Sequence, residues 1–278
     1  MKLFKKGKMN FLIGHNCGSF PVQKSGGMTV IKMLAKKLTE FDCNVYVLNE
    51  QYMSENTILI NTDNIHSLDK NKTICIYPEI IAGNPYGMSK VCRWILYHTT
   101  QDIESTWGDL DEFFYFWDVF ETSKKTDKKI LNCFDFKLNQ CIDKNYKRDG
   151  VCHIDKSNRV FLSNDLVKKY NSVDLKRGYL ENDFNWLVEE FNKKEMFITE
   201  DDSTYFSVIA ALCGCISVIF TDKNVNDLIP THKFAISLNN KTNKKNEIDL
   251  LKNHLKKLEK LSEKYLKDFF DFWKEKIN

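Results

Sequence analysis

The sequence predicts an α/β protein with two parallel-sheet domains and a long C-terminal helix. Short β-branched runs alternate with helix-compatible segments in two separate series, which is the pattern of a parallel sheet with crossover helices. A charged segment at 126–147, where the alternation weakens, separates the two series. An amphipathic pattern then fills residues 246–278.

The first series predicts an N-terminal domain at residues 1–125. Its strands are short apolar runs, and its first helix has apolar residues three or four positions apart. The predicted elements are a strand at Asn10–Gly14, a helix at Met28–Phe41, strands at Asn44–Leu48 and Thr73–Tyr77, and a buried helix at Lys90–Tyr97.

The second series predicts a C-terminal domain at residues 148–245. Its most informative part is the order strand, acidic turn, helix and strand between Glu195 and Phe220, which is a βαβ unit. The predicted elements are strands at Val151–Ile154 and Glu195–Thr199, helices at Asp183–Phe191 and after Ser203, and strands at Ile216–Phe220 and Phe234–Leu238.

Composition excludes several classes of protein. Hydrophobic residues make up 42% of the 278 positions, so a substantial core can form, and a net charge of +3 gives no nucleic-acid signal. No apolar run reaches the roughly 18 residues of a membrane span. Nine cysteines without a CxxC pair or a leading signal sequence indicate a reducing, cytoplasmic compartment. Cys213-Gly-Cys215 alone is a weak metal or redox signal.

The C-terminal helix has two interpretations. Its lysine-rich face would suit peripheral contact with an anionic membrane. Packing on the protein itself, with the lysines in solvent, is the favoured alternative. The apolar positions are Leu251, Leu255, Leu258, Leu261, Leu266, Phe269, Phe270 and Trp273.

Candidate site residues in the first domain follow its strands, because ligands of such sheets bind at the carboxyl ends. Gly26 and Gly27 start a helix where backbone can approach a ligand. His15 and Glu79 are candidate general bases. For Glu79, an ordinary solvated loop carboxylate is an equally good interpretation. Arg93, within an apolar segment, needs a partner and is either structural or phosphate-facing.

Candidate residues in the second domain surround the acidic turn and the helix after it. A helix N-terminus favours a phosphate, although Ser and Thr are also ordinary caps. Basic residues after the first strand suit a diphosphate leaving group. Asp201-Asp202 differs in spacing from a metal-binding Asp-x-Asp, and no metal site is predicted. The donor-side candidates are Lys156, Arg159, Glu200, Asp202, Ser203, Thr204, Tyr205 and Ser207.

Three segments carry a family resemblance: Tyr77–Pro85, Arg93–Leu96 and Tyr205–Val218. They resemble GT-B glycosyltransferases, and more narrowly a group found in bacterial and large-virus polysaccharide gene clusters. The likeness extends from about Met9 to Phe220. It implies two Rossmann-like domains facing a cleft, with the glycan acceptor in the first and the nucleotide-diphosphate sugar in the second.

The resemblance also implies residue roles and a metal-independent reaction without a cofactor. Gly26 and Gly27 would line the cleft with Arg93, and Lys156 would face the donor diphosphate. The helix start at Ser203, Thr204 and Ser207 would lie on the donor side. The second glutamate of many retaining members is absent, because Ile209 or a neighbour occupies its place.

Several alternatives stay open at this point. An inverting reaction needs a base, for which His15 is the first candidate and His98 or Glu79 the next. A retaining reaction would use the donor phosphate instead. The missing glutamate and the short second domain also fit a catalytically silent nucleotide-sugar-binding protein or a partner subunit. A nucleotide-sugar epimerase on the same scaffold is a third candidate.

Overall fold

The computed structural model describes residues 8–19, 25–124, 127–134, 140–155, 162–202, 204–222 and 244–277. The chain forms two compact units, each containing one sheet. Unit 1 consists of Met1–Phe134 and Lys260–Asn278, and unit 2 consists of Asp135–Glu259. The predicted α/β class is confirmed, since every strand pairing among the described residues is parallel.

The sheet of unit 1 has seven strands in the order β3-β2-β1-β4-β5-β6-β7. The strands are β1 (Met9–Ile13), β2 (Cys43–Val47), β3 (Ile58–Leu59), β4 (Thr73–Pro78), β5 (Lys90–Ile95), β6 (Glu112–Tyr115) and β7 (Lys129–Ile130). The strand order reverses between β1 and β4. In open parallel sheets the loops that leave such a pair at its carboxyl end separate and form a crevice.

One face of this sheet is covered by α1 (Gly26–Leu38) and by the unit 1 part of the C-terminal helix, labelled α7 (Lys244–Ile277). A short helix, α2 (Gln101–Glu104), follows β5. Ile31, Leu34, Ala35 and Leu38 of α1 recur at helical spacing and pack on the apolar side chains of this face. Two 3-10 helices, Glu50–Tyr52 and Thr62–Ser67, lie in the connections around β3.

The apolar positions of α7 in unit 1 are part of its core. Leu266, Phe269 and Trp273 are buried, and the Phe269 ring lies 5.6 Å from Phe11 and 4.7 Å from Phe114, measured between centroids. The prediction that the helix packs on its own protein is therefore confirmed for these residues. None of the described helices is long and apolar enough to cross a membrane. Peripheral membrane contact through the lysine face stays a prediction.

Unit 2 contains a four-stranded sheet in the order β11-β10-β8-β9. The strands are β8 (Val151–His153), β9 (Val173–Asp174), β10 (Met196–Thr199) and β11 (Ile216–Ile219); the helices are α3 (Asn164–Tyr170), α4 (Lys176–Glu181), α5 (Phe184–Lys193) and α6 (Tyr205–Leu212). The predicted unit of strand, acidic turn, helix and strand is confirmed as β10-α6-β11. Here the strand order reverses between β8 and β10.

One secondary-structure prediction is wrong. Lys90–Tyr97 is predicted as a buried helix, but Lys90–Ile95 forms β5 between β4 and β6. A central strand buries side chains on both faces, so its apolar run lacks the alternation that would distinguish it from a buried helix. The predicted strand Phe234–Leu238 lies outside the described residues.

Candidate functional site

His15 lies at the carboxyl edge of unit 1, two residues after β1. The backbone N–H of Gly14 donates to the Ile76 carbonyl of β4 at 2.8 Å, so this segment still follows the sheet. The His15 side chain is only 8% exposed, and its Nδ1 is hydrogen-bonded to the hydroxyl of the buried Tyr52. The sheet and the 3-10 helix that contains Tyr52 thus fix the imidazole together.

Burial favours the neutral forms of both members of this pair. It lowers the pKa of His15 below its ordinary value of 6.5. Burial and the neighbouring Cys17 raise the pKa of Tyr52 above its ordinary value of 10.0. A neutral imidazole whose Nδ1–H donates to the Tyr52 oxygen has a lone pair on Nε2, which is the form that a general base requires.

We expect His15 to titrate below pH 6.5 in the folded protein. The unfolded chain then binds a proton more readily than the folded one, so stability falls as the pH decreases through 6.5 towards the folded pKa. Nitrogen-detected NMR titration measures the His15 pKa directly, and His15→Asn should remove this part of the pH dependence of unfolding. A pKa at or above 6.5 would contradict the assignment of a buried neutral ring.

Glu79 lies directly after β4 and is 4% exposed. Its Oε2 accepts a hydrogen bond of 3.0 Å from the backbone N–H of Leu96, just beyond β5. The carboxylate therefore joins the carboxyl ends of two neighbouring strands. His98 follows β5 as an exposed ring, edge-to-face with Phe120 at 5.3 Å. Base function for either side chain stays a prediction.

Gly26 and Gly27 are the first two residues of α1. The Ser25 hydroxyl caps this helix by accepting a bond of 3.4 Å from the Met28 N–H. A Cβ atom at Gly27 would lie 3.9 Å from Cδ1 of Leu96, which is ordinary van der Waals contact. Gly27 and Glu79 therefore both neighbour Leu96 at the same edge of the sheet.

Arg93 has a structural role in place of the predicted cleft-lining one. It is fully buried in β5, and its Nε donates to Oδ2 of Asp111 at 2.7 Å. Its other nitrogens donate to the carbonyls of Ile81 (3.0 Å) and Gly83, and its guanidinium lies 4.9 Å from the Tyr77 ring centroid. The partner that a buried cation needs is thus Asp111, and Arg93 holds the loop that follows Glu79.

The acidic turn of unit 2 connects β10 to α6. Glu200 is half-buried, and its Oε2 accepts a bond of 2.6 Å from the Ser163 N–H. Asp201 is 7% exposed, and its N–H donates to the Thr199 hydroxyl at 3.0 Å. Asp202 is half-buried beside it. These contacts fix the turn against α3 and the end of β10.

The start of α6 is an ordinary capped helix N-terminus. The hydroxyl of Thr204, a residue that is 2% exposed, accepts a bond of 3.4 Å from the Phe206 N–H. Ser207 is fully buried and donates its hydroxyl to the Thr204 carbonyl at 3.0 Å, so it lies under the helix start and does not face a crevice. Tyr205 is half-buried. Ser203, Lys156 and Arg159 lie outside the described residues.

This helix start occupies a favourable position for an anion. It follows β10, whose neighbour in the sheet is β8, and the strand order reverses between these two strands. The macrodipole of a helix places about half a positive charge at its N-terminus, which stabilises a phosphate group. Four of the predicted donor-side residues lie at this edge: Glu200, Asp202, Thr204 and Tyr205.

Sequence reasoning missed a cluster of metal-ligand side chains at the same edge. His153, Asp155 and Asp174 each offer one ligand atom, and the three atoms lie within 4.8 Å of one another. His153 and Asp174 end the neighbouring strands β8 and β9. The only sequence signal is a His or Asp at the end of each strand, and β9, with two residues, is too short to be recognised as a strand.

No protein-family model matches this sequence, and no curated protein is detectably similar to it. A functional assignment therefore rests on the fold and on the side chains at the carboxyl edges of the two sheets.

Proposed function

We propose that the protein is a GT-B-type glycosyltransferase that transfers a sugar from a nucleotide-diphosphate sugar to a glycan acceptor. The observation that carries the proposal is the strand order. The sheet of unit 1 contains the Rossmann strand order, 3-2-1-4-5-6, in its strands β3-β2-β1-β4-β5-β6. The sheet of unit 2, β9-β8-β10-β11, matches the first four strands of the flavodoxin-like order, 2-1-3-4-5. Two Rossmann-like units are what the sequence resemblance implies.

The position of the predicted residues supports the same function. Nucleotides bind such sheets where the strand order reverses, at the carboxyl ends. His15 and Glu79 follow β1 and β4 of unit 1, while Glu200 and Thr204 follow β10 of unit 2. The groups in unit 1 suit an acceptor hydroxyl. In unit 2 the Glu200 carboxylate suits a ribose or sugar hydroxyl of the donor, and the helix start at Thr204 suits its diphosphate.

The proposed chemistry is a substitution at the anomeric carbon. The acceptor oxygen forms the new bond to this carbon, and the bond to the diphosphate oxygen breaks, so that the nucleoside diphosphate leaves with the electron pair. In an inverting reaction Nε2 of His15 takes the acceptor proton; in a retaining one the leaving phosphate takes it. The α6 N-terminus and Lys156 stabilise the charge on the leaving group.

A silent nucleotide-sugar-binding protein is the second candidate, and one observation favours it. Many retaining members have a second glutamate near the position of Ile209. In this chain that position holds an aliphatic side chain, fully buried within α6, so it supplies no carboxylate to the donor. Such a protein would bind the donor without turnover, even with candidate acceptors, whereas an epimerase would convert the donor itself.

Lys156→Ala is expected to weaken donor binding about 10- to 100-fold, because a charge-assisted contact contributes roughly 1.5–3 kcal/mol. The donor is found first by thermal shift with UDP-, GDP-, CMP- and dTDP-sugars, with and without EDTA, since a ligand of the native state raises the Tm. Lys168→Ala, an exposed lysine of the same unit, is the matched control and should bind normally.

Three outcomes separate the candidates. Stabilisation by one nucleotide family, followed by sugar transfer to an acceptor, supports the transferase. Stabilisation without any turnover supports the silent binding protein. If none of the nucleotide sugars changes the Tm, or if Lys156→Ala binds as tightly as the unmodified protein, the proposed donor site is wrong.

A further inference from the structure

We propose that His153, Asp155 and Asp174 bind one divalent transition-metal cation at the carboxyl edge of the unit 2 sheet. Their three ligand atoms lie within 4.8 Å of one another. The site is separate from the proposed transfer reaction, which needs no metal, and its ligands are none of the predicted donor-binding residues. Cation binding can therefore be tested with no sugar nucleotide present.

The sheet itself brings two of the ligands together. In the register of β8 with β9, His153 is paired with Asp174, so that their Cα atoms are direct neighbours across the two strands. Asp155 follows His153 by two residues, the spacing at which successive side chains of an extended chain point to the same side. The parallel sheet thus holds the backbone of His153 and Asp174 in place, and Asp155 follows two residues after the end of β8.

His153 is oriented for metal binding. It is 5% exposed, and its Nδ1 shares a hydrogen bond of 2.9 Å with the Ser172 hydroxyl. Metal-bound histidines usually donate the second ring N–H to such an oxygen, which leaves the other nitrogen as the ligand. Nε2 makes no hydrogen bond to any of the described residues, and Oδ2 of Asp155 lies 4.0 Å from it.

The tautomer of His153 decides how this arrangement can be used, because the Ser172 hydroxyl can either accept from Nδ1–H or donate to Nδ1. When Nδ1 donates to Ser172, the Nε2 lone pair of the neutral ring faces the carboxylate oxygen of Asp155, and like-signed electron density repels. A cation between the two atoms converts the repulsion into two ligand bonds. In the other tautomer Nε2 carries the proton, directs it towards Asp155 and cannot bind a cation, and the experiment below separates the two.

Each of the two carboxylates accepts a backbone hydrogen bond through one oxygen, which leaves its other oxygen to bind a cation. Oδ1 of Asp155 accepts a bond of 2.9 Å from the Leu162 N–H, and Oδ1 of Asp174 accepts one of 2.8 Å from the Lys176 N–H. Backbone donors that fix ligand carboxylates in this way are typical of the outer shell of metal sites. All three ligands are therefore pre-oriented by hydrogen bonds to the protein.

The ligand set indicates the class of metal. One imidazole nitrogen and two carboxylate oxygens suit Zn²⁺ and related first-row cations better than Mg²⁺ or Ca²⁺, which prefer all-oxygen sites. Ligand atoms about 2.1 Å from a tetrahedral cation lie roughly 3.4 Å from one another. The three ligand atoms therefore have to move closer together by up to about 1.4 Å when a cation binds, and a fourth position remains for water or an anionic ligand.

The test uses the full chain after chelator treatment, titrated with Co²⁺ and followed by its visible absorption, with Zn²⁺ calorimetry in parallel. We expect one equivalent to bind, with the cobalt bands of nitrogen and oxygen ligands. Thiolate-to-cobalt charge-transfer bands would instead place the metal on one of the nine free cysteines and would overturn the proposal. So would the absence of stoichiometric binding, as expected for the tautomer with the proton on Nε2.

Variants show whether these residues are the ligands. Asp174→Asn keeps an acceptor for the Lys176 N–H but removes an exposed ligand charge, and we expect at least tenfold weaker binding. Ser172→Ala should weaken binding 10- to 100-fold through the orientation of His153, with the same cobalt bands. Asp165→Asn, an exposed acid of α3, should bind normally. Equal affinity for Asp174→Asn and Asp165→Asn would overturn the proposal.

Discussion

Arg93→Ala is expected to lower the free energy of unfolding of unit 1 by about 3–5 kcal/mol. The substitution leaves the Asp111 carboxylate, whose side chain is 8% exposed, without its ion-pair partner. It also removes the donors of the Ile81 and Gly83 carbonyls and leaves a cavity beside Tyr77. Removing one member of a buried ion pair costs far more than the pair itself contributes to stability.

Denaturant unfolding followed by tryptophan fluorescence measures this effect. Trp94, Trp107, Trp117 and Trp273 lie in unit 1, so the signal reports mainly on that unit. Lys37→Ala is the control within the same unit: its side chain is 38% exposed and pairs with the exposed Glu40 three residues along the chain, so a change below about 1 kcal/mol is expected. A loss below 1 kcal/mol for Arg93→Ala would mean that Asp111 finds another partner.

Arg93 also matters for the candidate site, although it contacts no proposed substrate group. Its guanidinium connects the loop that follows Glu79 to Asp111, which precedes β6. Arg93→Lys keeps the charge but not the planar set of donors that reaches three acceptors at once. If Glu79 functions at this edge, Arg93→Lys should lower kcat while the donor affinity measured in unit 2 stays unchanged.

Much of the fold follows from local sequence patterns. β1, β2 and β4 are short apolar runs bounded by polar turns, and β10-α6-β11 shows the change from strand to helix periodicity directly. The Lys90–Ile95 strand was not predictable in this way, because burial on both faces removes the alternation. Strands of two residues, such as β3 and β9, owe their structure to pairing with longer neighbours.

The candidate site was less predictable than the fold. That His15 follows a strand and Thr204 begins a helix can be read from neighbouring residues. The partner of His15, Tyr52, is 37 positions away, and Asp111 is 18 positions from Arg93. Contacts of this kind depend on how the sheet and its loops pack, which no local pattern encodes. The metal-ligand cluster likewise requires the register of β8 with β9.

Gly214→Ala is expected to destabilise unit 2 by about 2–5 kcal/mol, and two separate effects contribute. Gly214 has a φ of +80°, where an alanine costs roughly 1–2 kcal/mol. Its added Cβ would also lie 2.3 Å from Oδ2 of Asp143 and 2.8 Å from Nη2 of Arg148, and such overpacking costs roughly 1–3 kcal/mol. The backbone conformation and the crowded surroundings therefore both require a glycine between Cys213 and Cys215.

Gly150→Ala separates these two effects within the same unit. Gly150 has a similar φ of +69°, but a Cβ there would meet no atom within 4 Å, so only the backbone cost is expected. The difference between the two variants, measured by the denaturant dependence of amide hydrogen exchange in unit 2, therefore gives the cost of displacing Asp143 and Arg148. This arginine donates to the Phe191, Lys194 and Cys213 carbonyls, which connects the C-terminal ends of α5 and α6. Equal losses would show that Arg148 moves without cost and that these helix ends are held by other contacts.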